Sequence, residues 1–191
     1  LHYRTYEHWR ENSVIPKEIA ERLEALLLSA YAPYSNYPVS SIVVMESGEM
    51  IVGTNQENGA FPSGLCAERV AVLAAKAAHP NEAIQTVYIM TGESEREPAA
   101  PCGSCRQVLH ETELRQIKPF ELILLNKTDK ALAFTGVQGL LPFSFTLPEW
   151  GDYSASKNAT NGAFSLTDKP KGSILESVYE WFAPPVLYCS T

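Results

Sequence analysis

An α/β domain with a mixed sheet flanked by helices is the fold class this sequence predicts. Short runs rich in Val, Ile and Leu, at 42–45, 50–54, 86–90 and 120–125, alternate with stretches whose apolar residues recur at helical spacing. Two cysteine groups, Cys66-Ala67-Glu68-Arg69 and Pro101-Cys102-Gly103-Ser104-Cys105-Arg106, each open one of those helical stretches. The 191 residues are enough for one well-buried domain with some length to spare.

Residues 1–15 read as an N-terminal extension in which Tyr3, Tyr6 and Trp9 are spaced to share a face and dock, on the chain's own core or on a neighbouring subunit. From 16 to 30, Ile19, Leu23, Leu26, Leu27 and Ala30 follow helical period, and Pro16 suits a first turn. A proline-punctuated loop with Tyr31, Tyr34 and Tyr37 follows and reads as packed surface. The strands at 42–45 and 50–54 flank Ser47-Gly48-Glu49, which predicts a hairpin. If the chain stays extended beyond it, the side chains of Asn55 and Glu57 share a face. An amide beside a carboxylate suits a sugar hydroxyl, although ordinary polar residues at a strand end would look the same.

The helix after Cys66 ends at His79-Pro80-Asn81, ahead of the strand at 86–90, and residues 93–100 form a charged loop. The second cysteine helix gives way near Lys118-Pro119 to the strand at 120–125, followed by 131–134 and a short segment over 137–145. Residues 152–172, rich in Ser, Asn, Thr, Gly and Lys, read as a linker. In the tail Ser173 and Glu176 form a capping box ahead of Ile174, Leu175, Val178, Trp181 and Phe182, a short amphipathic helix stopped by Pro184-Pro185. The expected organisation is therefore an extension at 1–15, a domain at 16–151, and a linker and tail at 152–191.

Fifteen basic against 22 acidic residues give a net charge of −7 with no basic run, which argues against nucleic acid and for a small, weakly charged substrate. No apolar run approaches the roughly 20 residues of a membrane span, and residues 1–7 lack the apolar core of a signal peptide. No membrane partner and a cytoplasmic location are the expectation, and thiolates kept for a metal fit a reducing compartment.

The cysteines carry the chemistry. A helix N-terminus offers unpaired N–H groups and positive potential, which lower a thiol's pKa and favour the thiolate a metal needs. Three thiolates, from Cys66, Cys102 and Cys105, can hold zinc and leave its fourth position to water, the arrangement of a catalytic site. Glu68, two residues beyond the first ligand, is placed to move protons as general acid and base. A Cys-x-x-Cys alone could equally be a redox pair, half of a zinc knuckle or two buried thiols. Cys189 could also close a four-thiolate structural site, making a non-catalytic zinc-stabilised interaction module.

Together these residues resemble the small, homotetrameric cytidine deaminases, through four segments in order at 30–39, 53–69, 101–109 and 140–145. The resemblance implies a three-layer fold and one zinc ion per subunit on Cys66, Cys102 and Cys105, with Glu68 shuttling protons. It implies that Asn55 and Glu57 hold the ribose 3′-hydroxyl and that the Ala67 amide meets the pyrimidine O2. Tyr37 stands where an aromatic lies against the base, Phe61 at a shared wall, and Phe145 where an aromatic is supplied to a neighbouring subunit's pocket. Arg69 takes the position that hydrogen-bonds the ligand sulfurs, while for Arg106 a structural role is at least as well motivated. The implied reaction is hydrolytic deamination of cytidine and 2′-deoxycytidine in pyrimidine salvage, or of a modified cytosine nucleoside or nucleoside antibiotic. Ser40-Ser41 departs from the family's glycine-alanine pair, as do Gln56 and Gly59-Ala60 from their usual residues, a change expected to widen the pocket or tune a subunit contact.

Overall fold

The computed structural model describes residues 3–11, 14–92 and 97–146, all within one compact unit. The linker, the tail helix and Cys189 lie outside the described residues. In chain order the elements are β1 (Tyr3–Tyr6), α1 (Lys17–Leu26, continued by a 3-10 turn at Leu27–Ser29), β2 (Val39–Met45), β3 (Met50–Thr54), α2 (Ala67–Ala78), β4 (Ile84–Thr91), α3 (Gly103–Leu114), β5 (Glu121–Asn126) and β6 (Ala131–Thr135). The six strands form one sheet in the order β1-β6-β5-β4-β2-β3.

Only β4 and β5 are parallel; the other neighbours are antiparallel. A parallel pair cannot be joined by a tight turn, so the chain crosses over between them, and α3 is that crossover. The β2–β3 pair is a hairpin with Val44 opposite Met50. Gly48 takes φ +87° in its turn, a conformation that glycine adopts without a Cβ clash.

Period-two alternation divides the core between the sheet's two faces. Val43, Val87, Ile89, Leu122 and Leu124 point to one face, where Ala71, Val72 and Ala75 of α2 and Leu109 of α3 cover them. Ile42, Tyr88, Met90, Ile123 and Leu125 point to the other, under Ile19, Ala20 and Leu23 of α1. The result is the expected three layers, with both cysteine helices on the same side. The approach of α2 to the hairpin is so close that a Cβ on Gly53 would lie 2.5 Å from the Ala67 carbonyl oxygen and from the Ala71 nitrogen.

Two expectations change. Residues 3–11, expected to stand outside the domain as an extension, are part of its sheet and core: β1 pairs antiparallel with β6, and Tyr3 stacks on Phe134 at 5.5 Å. Trp9 is buried in the α1-side core, and its indole donates to the Thr128 carbonyl at 3.3 Å. The dock is therefore the chain's own body. Ser40 and Ser41 do not widen a pocket. Both are fully buried in β2, where their hydroxyls donate to the Leu23 and Tyr88 carbonyls, each at 2.8 Å, tying α1 and β4 to the strand.

Candidate active site

Cys66 and Cys102 are the N-cap residues of α2 and α3, each with an extended backbone, and neither thiol turns back to cap its own helix. Because the two helices lie side by side on one sheet face, their N-caps converge. The sulfurs of Cys66, Cys102 and Cys105 all lie within 4.8 Å of one another, with Cys102 and Cys105 3.2 Å apart. Cys105 is buried, Cys66 half-buried and Cys102 exposed.

A hydrogen bond from the Cys105 thiol and the neighbouring Arg69 guanidinium hold the Cys66 thiol down at about 5, against burial. Cys105, sharing that hydrogen bond and itself desolvated, is pushed far up. One negative charge thus already resides among the sulfurs. Arg69 Nη2 reaches the Gly64 carbonyl at 3.3 Å and Cys66 Sγ at 3.9 Å, while its Nε is buried without a partner and has a donor left to give. Three soft donors at the positive ends of two helices, close enough for a common ion about 2.3 Å from each sulfur, fit zinc. Arg106 is structural: its guanidinium donates to the Pro101 carbonyl at 2.8 Å and to the Leu140 carbonyl at 2.9 Å.

Glu68 follows in the first turn of α2 and is only 4% exposed. Burial pushes its carboxyl above the usual carboxylate range, opposed in part by a hydrogen bond from the Cys105 thiol. A carboxyl raised in this way holds a proton more readily than an ordinary one, which suits a group that must both accept and return it. Ala67 is buried as the first residue of α2, so its N–H has no intrahelical acceptor.

Beside the sulfurs opens a cleft of about 450 Å³ whose walls include Tyr34, Asn55, Glu57, Phe61, Cys66 and Arg69. Bridges from Gln56 to Tyr31 and to Leu65 keep the chain extended past β3, which turns Asn55 and Glu57 to this one cleft. Asn55 Oδ1 accepts the Val39 N–H at 2.8 Å and its Nδ2 donates to the Tyr37 carbonyl at 2.9 Å. Glu57 Oε2 accepts the N–H groups of Tyr34 at 2.9 Å and Ser35 at 3.3 Å. A further bond from the Ser35 side chain is the largest cause holding the Glu57 carboxyl below its ordinary range. Both residues therefore brace the 34–39 loop while bordering the cleft.

Phe61 is 74% exposed at the rim and meets Tyr34 edge to face at 5.6 Å. Tyr34 and Ser35 belong to the site although the loop reads from sequence as mere surface; the Asn-Gln-Glu strand end facing it was the signal. Tyr37 and Phe145 do not line this cleft. Tyr37 lies half-buried beside it, and Phe145, whose backbone is held by Gln107 of α3, is 70% exposed.

Residues 17–120 match the family described as the cytidine and deoxycytidylate deaminase zinc-binding region. A cytidine deaminase of Halalkalibacterium halodurans is 30% identical over 123 residues, covering 64% of this chain and 88% of the relative. One from Sporosarcina psychrophila is 36% identical over 98 residues, covering 51% of this chain and 68% of the relative. The crystal structure of the Burkholderia pseudomallei cytidine deaminase superposes with a TM-score of 0.60 at 32% identity, over 69% of this chain and all of that one.

Proposed function

This chain belongs to the cytidine and deoxycytidylate deaminase family, and from that premise we propose that it hydrolyses cytidine and 2′-deoxycytidine to uridine and 2′-deoxyuridine, releasing ammonia in pyrimidine salvage. The observation that carries this reading is the buried Glu68 carboxyl, in the first turn of the helix that Cys66 caps, next to a three-thiol cluster whose Cys66 borders an open cleft.

Cys66, Cys102 and Cys105 would hold one zinc ion per subunit, which when bound supplies the Lewis acid that makes water a nucleophile at neutral pH. Every proton movement falls to Glu68. It takes a proton from the water that adds at C4, delivers it to ring N3, and passes the second to the amine as the C4–N4 bond breaks. The Ala67 N–H would receive the pyrimidine O2. Asn55 keeps one amide hydrogen beyond the one given to Tyr37, and Glu57 accepts its two backbone bonds on Oε2, so both retain capacity for the ribose 3′-hydroxyl. Arg69 draws charge from the sulfurs. Tyr37 would lie against the base and Phe61 at a wall shared between subunits.

Phe145 would complete the pocket of a neighbour in a homotetramer, a reading supported by the exposure of both phenylalanines on a folded surface. The catalytic unit would run to about residue 151 and include the β1 strand and Trp9, with 152–191 as an appended linker and tail. A cytoplasmic setting is supported by the three described cysteines remaining free thiols.

The test follows the ultraviolet absorbance change as zinc-loaded protein meets cytidine. The parent is expected to turn over, and Glu68→Gln to keep metal and fold while losing about 10²–10⁴ in kcat. Substantial activity in Glu68→Gln overturns its role; a silent, metal-replete parent overturns the substrate.

A further inference from the structure

The segment 140–145 ends in two phenylalanines whose rings touch solvent but whose backbone is held tightly. Arg106 Nη1 donates to the Leu140 carbonyl at 2.9 Å. His110 Nε2 meets Ser144 Oγ at 2.8 Å. Gln107 closes a two-bond ring on Phe145 alone: its Nε2 donates to the Phe145 carbonyl at 2.9 Å, and its Oε1 accepts the Phe145 N–H at 3.2 Å. With the N–H and the C=O on either side of the Phe145 Cα both taken by one side chain, the direction of the Phe145 Cα–Cβ bond is set by Gln107. Residues 107 and 110 are three apart on α3 and so share a face, which makes the grip a property of the helix that also carries Cys105.

This grip is built at a cost to the isolated chain. His110 is 7% exposed, its Nδ1 has no partner, and burial holds its pKa below the ordinary imidazole range. Phe143 takes φ +57°, a left-handed conformation unusual for a bulky residue, and is fully exposed at 105%. Among the described residues Phe143 gains no cover in return, and Phe145 stays 70% exposed. An ordered backbone that displays unburied aromatic rings is pre-organised for a contact made elsewhere.

We propose that Gln107 and His110 are positioning residues that aim Phe145 out of the subunit so that its ring closes a second copy's cleft over the bound nucleoside. The inference rests on the reading of Phe145 as an aromatic supplied to a neighbour. Neither residue touches substrate; they act through Phe145. Their loss is therefore felt in substrate enclosure more than in the chemical step, which Glu68 and the thiols of the receiving subunit perform.

The experiment is steady-state kinetics on cytidine with the zinc-loaded oligomer. Gln107→Met, nearly isosteric but unable to pair with the peptide, is expected to raise KM about tenfold with kcat within about threefold of the parent. Ser144→Ala, which removes only a half-buried hydroxyl from His110, keeps the fold and is expected to raise KM about twofold to threefold. Neither substitution should raise KM further in a Phe145→Ala background, because no ring remains to be aimed. Mixing Gln107→Met chains with Glu68→Gln chains should return the KM of the live sites toward the parent value, since the dead subunits bring correctly aimed rings.

An unchanged KM in Gln107→Met, with Phe145→Ala raising it, overturns the positioning role and leaves the supplied aromatic standing. An equal rise on the Phe145→Ala background, or no recovery on mixing, also overturns it, because the effect is then a general one within the chain. Parent-like KM in Phe145→Ala overturns the supplied aromatic itself.

Discussion

The two halves of the site are built in opposite ways. At the sulfur end every group is held by regular structure: two helix N-caps meet beneath the sheet, Glu68 is sealed in the first turn of α2, and Gly53 lets that helix approach to backbone contact. At the cleft end, Phe61 and Tyr34 stand exposed at an open rim, and Phe145 is exposed and not among the residues that line the cleft. The difference follows from what each half must do. Proton transfer and metal binding depend on low dielectric and on geometry held within fractions of an ångström, which only packed helices supply. Admitting and releasing a small ligand needs a surface that can open, and that half is built from exposed side chains.

Substitutions at the two glycines nearest the cysteine helices break this contrast most sharply. Gly53→Ala places a Cβ 2.5 Å from two backbone atoms of α2, so the helix and its Cys66 must shift. The expected cost is about 1–3 kcal/mol of stability, read by urea unfolding, and about a hundredfold in kcat. Gly103→Ala at the start of α3 meets nothing within 4 Å and is expected to be neutral or slightly stabilising. Similar outcomes for both would mean that the backbone approach at β3 does not set the sulfur geometry.

Next in size is Arg69→Leu, which probes the buried half without touching its packing against the sheet. Removing the guanidinium takes away one of the groups that hold the Cys66 thiol at about 5, so the thiol retains its proton more firmly. Zinc affinity in a chelator competition should fall about 10–100-fold, and by more at pH 6 than at pH 8, because protons then compete harder for the sulfur. A loss independent of pH would place the effect elsewhere.

The smallest effect belongs to the exposed half. Burial lowers the His110 pKa from its ordinary 6.5, with Glu111 pulling the other way. Between the ordinary and the lowered value the unfolded chain binds the extra proton, so stability is lost as pH falls through that window, with a slope of at most about 1.4 kcal/mol per pH unit. His110→Gln should flatten that part of the urea-unfolding profile between pH 7.5 and 5.5. An identical slope in parent and variant would show that His110 takes up its proton equally in the folded and unfolded chain, so that burial does not shift it.

Where local pattern and chemistry coincide, the sequence was readable. Cys66 and Cys102 occur as N-caps, the hairpin over residues 39–54 forms, and strands and helices alternate around a mixed sheet, because helical period, turn residues and β-branched runs are all short-range signals. β1 escaped because four residues, Tyr3–Tyr6, are too few to show a period, and only the free edge of β6, over a hundred residues away, gives them a partner. Ser40 and Ser41 look like pocket residues until the Leu23 and Tyr88 carbonyls opposite them are known.

The types and spacing of Cys66, Glu68, Cys102 and Cys105 by themselves determined that three sulfurs and a carboxylate would gather at two helix starts, since those residues are written into two short motifs. Only the tertiary structure decided that Gln107 grips the Phe145 backbone, that Asn55 and Glu57 brace a loop as well as border a cleft, and that Trp9 belongs to the core. Those outcomes depend on hydrogen bonds and packing between segments far apart in the chain, and no local periodicity records who the partner will be.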